Sequence, residues 1–189
     1  MPSRDKNENA SSNNDTGSSN QQVQDSVQKD EREFISIVNS FETRYEEASN
    51  EFQKSAVRRE RAVAFANIIS DRSVQNWIGK ISSMETNSDG NGILYVELPG
   101  SSRIKVTTWN NSFSDIEDNT LIPHSSFLYN QVANLAQGDV VYFSGRFASG
   151  GLDFIKESSM TEASAMTAPE FIFTFTRVGK QPLVYPDNR

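Results

Sequence analysis

The chain has 189 residues, 35% of them hydrophobic, with 25 acidic against 18 basic side chains and a net charge of −7. That length suits a little more than one domain, and the acidic balance argues against a general binder of phosphate backbones, whose affinity comes largely from counterions released by Lys and Arg. The complete lack of cysteine excludes disulfide frameworks, thiolate metal sites and cysteine nucleophiles.

Residues 1–27 are polar and of low complexity, as in Ser11-Ser12-Asn13-Asn14-Asp15. Such a segment buries too little surface to offset its ordering entropy, so a disordered leader is expected. No apolar signal-peptide core occurs near the start, and no apolar run reaches the ~18 residues that suggest a membrane span. A cytoplasmic location is therefore expected.

Over 28–70 the pattern is helical, with neither Pro nor Gly from Asp30 to Ile69. Phe34, Val38, Phe41, Tyr45, Ala48 and Phe52 recur every three or four residues, which places them on one face. The stripe weakens through Ser55 and Arg59. Two arrangements suit it: two helices packed on the domain that follows, or one coiled-coil-like helix roughly 60 Å long. The second would serve self-association or docking on a protein partner through residues 28–69. The basic run Arg58-Arg59-Glu60-Arg61 reads as a solvated face with pairing four residues apart.

Residues 73–179 carry short apolar runs in the order strand, strand, strand, helix, strand, strand. The strands are expected over 74–84, with a bulge or bend at Gly79, then 93–98, 103–109, 140–147 and 152–158. The helix covers 126–135. After Pro169, residues 170–178 form an additional strand that either lengthens the fifth or pairs beside the first. This is the order of the OB-fold, a five-stranded barrel that binds ligands on the face of its second and third strands. The expected fold class is thus an all-β, OB-fold-like five-stranded barrel with an inter-strand helix, preceded by a long α-helical segment. An extended tail covers 180–189.

Strand alternation sorts the binding face. Leu94, Val96, Leu98, Ile104, Val106 and Thr108 should point inward. Tyr95, Arg103, Lys105 and Trp109 should then point outward, where two cations among two aromatics suit either a protein surface or stacked bases. The segment's 11 acidic and 6 basic residues disfavour the second.

Signals for chemistry are weak. Asn87, Asp89 and Asn91 mimic the start of a calcium loop, but its twelfth position is Leu98 rather than the required Glu, so a turn is expected. Asp115, Glu117 and Asp118 read as loop charges or helix caps. His124, the single histidine, stands beside Pro123 just before the helix, and no nucleophile elbow or nucleotide-binding loop occurs. No catalytic residue, metal or cofactor is assigned.

Several motifs resemble a group of uncharacterised bacterial and phage OB-fold proteins, similar to the tRNA anticodon-binding-like OB-fold domains. They are Trp77-Ile78-Gly79-Lys80-Ile81, Thr120-Leu121-Ile122, Gly138-Asp139-Val140-Val141-Tyr142-Phe143-Ser144-Gly145, Glu157-Ser158-Ser159-Met160-Thr161 and Pro169-Glu170-Phe171. The resemblance covers about half the chain and implies an OB barrel, with nucleic acid as a ligand of members basic across the groove. Together these readings describe a non-enzymatic binding or adaptor protein that contacts a protein or peptide. The alternatives are a single-stranded nucleic-acid binder using Tyr95, Arg103, Lys105 and Trp109, and a hydrolytic or metal-dependent enzyme built around Asp115, Glu117, Asp118 and His124.

Overall fold

The computed structural model describes residues 28–183. The leader expected over 1–27 and the last six residues of the expected tail lie outside them.

The helical segment is divided. Helix α1 spans Lys29–Glu47 and α2 spans Glu51–Ile68. Between them the Ser49 N–H donates to the Gln53 side chain at 2.8 Å, and the Gln53 N–H donates to Asn50 Oδ1 at 3.1 Å. These bonds satisfy N–H groups that a helix start leaves orphaned, and so nucleate a second helix. The pair forms a hairpin, because Phe34 stacks on Phe65 at 4.7 Å and Arg44 pairs with Glu60. Phe34, Val38 and Tyr45 of the apolar stripe are buried within the chain, whereas Phe52 is 89% exposed.

Five strands follow: β1 Ser73–Thr86, β2 Gly92–Glu97, β3 Lys105–Thr107, β4 Val140–Phe147 and β5 Glu170–Gly179. They close into a barrel in the order β1-β2-β3-β5-β4, with β3 and β5 parallel and the other pairs antiparallel. The long β1 serves two neighbours, pairing with β4 in its first half and β2 in its second. Its irregularities fall between Val74 and Trp77 and between Ile81 and Ser83, on either side of the bulge expected at Gly79. Gly79 itself pairs with Val141, and its lack of a side chain answers a different need. A Cβ there would run into the Val96 side chain and lie 2.8 Å from the Glu97 carbonyl.

The fifth strand is not at 152–158. There Gly151–Asp153 is a short 3-10 turn, and Ile155 and Glu157 make only isolated bridges. Helix α4 (Glu162–Thr167) intervenes, and the segment after Pro169 is β5 itself, pairing with β3 on one side and β4 on the other. Its alternating Phe171, Phe173 and Phe175 supply the large buried surface that 152–158 lacks. The third strand is also shorter than expected. Trp109 leaves the ladder when its N–H donates to Thr120 Oγ1 at 2.8 Å. Helix α3, Phe127–Val132, stops short of Leu135.

Leu94, Val96, Leu98, Ile104 and Val106 fill the interior and are at most 2% exposed. One end is closed by the helical hairpin, where the Phe34 ring meets Trp77, Phe147 and Phe171 at 5.1–5.3 Å. The other is closed by α3, whose Leu128, Tyr129 and Val132 pack on the core beside Ile122.

Polar contacts fix the hairpin in place. The Trp77 Nε1–H donates to Asp30 at 3.0 Å, and the Ile78 N–H donates to the buried Glu31 carboxyl at 3.1 Å. Buried Arg61 binds Glu157 at 2.5 Å and the Ala165 carbonyl at 2.9 Å. Arg58 forks onto both oxygens of Asp153 at 2.6 Å, the bidentate geometry that makes Arg–carboxylate pairs specific. No described helix is long and apolar enough to cross a membrane.

Candidate docking surface

The outward side of β2 and β3 carries Tyr95 and Lys105, each half-buried. Tyr95 lies opposite Thr107, and burial pushes its phenol above the usual range. Lys105 Nζ reaches Glu170 Oε1 at 3.3 Å, while the other Glu170 oxygen accepts from the Ser158 hydroxyl at 3.0 Å. Arg103 precedes the strand and forks onto Glu42 of α1. Trp109 follows it, half-buried, with its indole N–H donating to Asp118 Oδ2 at 2.8 Å. Lys156 Nζ lies 2.7 and 2.9 Å from the same carboxylate. Tyr95 and Lys105 thus share a surface, Trp109 turns into the loop after β3, and Arg103 is drawn toward the helical hairpin. Arg103, Lys105 and Lys156 each face a carboxylate of the chain itself. Glu42 lies 61 residues from Arg103, and Lys156 lies 38 from Asp118, separations that no local pattern reports.

The loop carboxylates have distinct tasks. Buried Asp115 accepts from the Thr120 N–H at 2.5 Å, the Thr120 hydroxyl at 2.7 Å and the Leu121 N–H at 3.1 Å. It therefore organises the loop after β3, and Asp118 anchors Trp109 and Lys156. Glu117 is exposed. His124 is exposed too, its backbone N–H donating to Asn91 at 3.3 Å. Among the described residues no three His, Asp or Glu side chains gather to hold a metal ion.

A feature of the tertiary structure lies at the α3 end. Two recesses adjoin there and share Ile122. One, of about 310 Å³, is lined by Met84, Glu85, Ile93, Tyr129 and Val132; the other, of about 380 Å³, by Asp115, Ile116, Leu121, Leu128 and Phe175. Around them Phe113, Ile116 and Phe127 are 85%, 68% and 78% exposed. Phe127 directly precedes groove-lining Leu128, and Ser112, beside Phe113, lines the same recess. The charge here is one-sided, because residues 81–102 and 106–145 contain no Lys or Arg. Lys156 and Lys180 reach in from elsewhere to pair with Asp118 and Asp139. Glu85, Asp89 and Glu117 make no ion pair among the described residues; Glu85 accepts from Ser83 and Asp89 from Ser112. Alternation along strands cannot reveal this surface, since its residues come from a hairpin turn, a loop and a short helix.

Comparison of the chain with family models, with curated proteins and with solved structures gives no match.

Proposed function

We propose that the protein is a non-enzymatic docking module, an OB-like barrel that binds a protein or peptide partner. The strand order, the parallel β3–β5 pairing and the helix between β3 and β4 support the OB-like reading. One observation carries the choice of ligand: Arg103, Lys105 and Lys156 are each neutralised by Glu42, Glu170 and Asp118. A phosphate backbone would have to displace these carboxylates, forfeiting the counterion release that drives such binding. The hairpin's inner stripe is engaged within the chain. Its role in docking or self-association therefore falls to the outer side of α2, where Phe52 and Val63 are exposed.

The test is a paired selection and titration on the full chain. Panning a random peptide library should recover peptides that bind in the micromolar range, about −8 kcal/mol. A single-stranded oligonucleotide added at low salt should leave tryptophan emission unchanged. Salt-sensitive quenching, with no peptide recovered, would reverse the assignment in favour of nucleic acid.

A further inference from the structure

We infer that the α3 end of the barrel binds a cationic amphipathic segment of a partner protein, one carrying Lys or Arg beside aliphatic side chains. The inference rests on the docking-module reading and names the partner's chemistry. Three observations converge on it. The two recesses sharing Ile122 offer concave apolar surface, with Met84, Ile93, Tyr129 and Val132 in one and Ile116, Leu121 and Leu128 in the other. Phe113, Ile116 and Phe127 stand out beside them, largely uncovered. Large exposed apolar groups that cluster around a groove mark an interaction surface rather than the scattered exposure of an ordinary monomer.

Charge selects among the occupants. No Lys or Arg occurs in 81–102 or 106–145, and Glu85, Asp89 and Glu117 are exposed without an ion-pair partner among the described residues. Like charge repels an acidic segment, a nucleic acid and an anionic lipid surface alike. A Lys or Arg instead gains a partner at the rim while its apolar neighbours fill the recesses. Rim charges of this kind steer encounter and exclude wrong partners, whereas the buried apolar anchors hold the complex. A second copy of this chain fits poorly here, because it would bring the same acidic rim.

The test uses the full-length chain and three synthetic peptides: an amphipathic Lys/Leu peptide, its Glu/Leu counterpart and a Lys/Ser peptide with charge but no apolar face. The Lys/Leu peptide should bind and shift the amide signals of residues 85–92, 112–117 and 127–133; the other two should bind far more weakly. Glu85→Lys combined with Glu117→Lys should weaken binding about tenfold, as should Phe113→Ser combined with Ile116→Ser. All four side chains are exposed, so the fold is not at stake. Added salt should reduce the effect of the charge variant and leave that of the apolar variant. Equal binding of the Glu/Leu peptide, shifts confined to Tyr95 and Lys105, or indifference to charge reversal would overturn the inference while leaving a docking module standing. If no peptide binds and an oligonucleotide does, both readings fall.

Discussion

Replacing Glu31 with Gln probes how the helical hairpin is held on the barrel. Glu31 lies in the first turn of α1, fully buried, with both carboxyl oxygens accepting from the Ile78 N–H at 3.1 Å. Burial pushes its pKa from 4.5 to about 8, against the opposing pull of the Ile78 and Gln28 N–H groups. Between those values the folded protein keeps a proton that the unfolded chain releases. Its contribution is therefore complete below pH 4.5 and declines as pH rises to about 8, after which it is constant. At 1.36 kcal/mol per pKa unit the loss is at most about 5 kcal/mol, a large share of a typical domain's stability. Gln has nearly the same shape and no proton to lose. Glu157, pushed by burial to about 7, titrates with the same sign in both proteins, so the difference between the two pH profiles isolates Glu31. Urea unfolding from acid to alkaline pH, followed by tryptophan emission, reads it directly. With a slope of about 2 kcal/mol/M, the wild-type midpoint should fall by up to about 2.5 M more than that of the variant. The variant should be the more stable protein at alkaline pH. Parallel profiles, or a wild type that gains stability as pH rises through neutrality, would refute the reasoning.

Three further outcomes are expected. Arg61→Met should cost about 3–5 kcal/mol in the same unfolding assay at alkaline pH, because it strands the buried, ionised Glu157 carboxylate, and less at acid pH, where Glu157 holds a proton; adding Glu157→Leu should restore much of that loss. Gly145→Val should destabilise by about 3 kcal/mol or prevent folding, since a Cβ there would collide with the Thr174 carbonyl and the Phe173 ring. Its thermal midpoint, compared with that of an exposed Gly100→Asn control whose added Cβ meets open space, separates collision from a general glycine effect. Asp118→Asn combined with Glu170→Gln should release Lys156 and Lys105 and raise oligonucleotide affinity at low salt, as measured by fluorescence anisotropy. Unchanged affinity would mean that carboxylate pairing is not what keeps nucleic acid off this face.

The barrel interior was legible because a pleated strand alternates its faces. Leu94, Val96 and Leu98 on β2, and Ile104 and Val106 beside them, could be assigned inward from spacing alone, and all are buried. The same logic misplaced the fifth strand. Residues 152–158 have strand-like composition but little apolar mass, and β5 wins the place with its Phe171, Phe173 and Phe175. The break between α1 and α2 carried a readable signal in Asn50 and Gln53, a cap three residues ahead of its partner. The continuous apolar stripe obscured it.

Of the candidate face, residue type and alternation identify Tyr95, Arg103, Lys105 and Trp109, but not their charge state as a surface. A side chain's outward direction is local and follows from backbone period. Whether its charge is available depends on carboxylates brought from 61 and 65 residues away, Glu42 to Arg103 and Glu170 to Lys105. The order of residues thus determined the strand periodicity, the buried aliphatic set and the acidic balance, all properties of short stretches. Only chain folding decided which strand closes the barrel, that Phe34, Val38 and Tyr45 of the helical stripe are covered by the chain itself, and that two apolar recesses adjoin at the α3 end. Those depend on distant segments meeting, and no local period encodes a meeting.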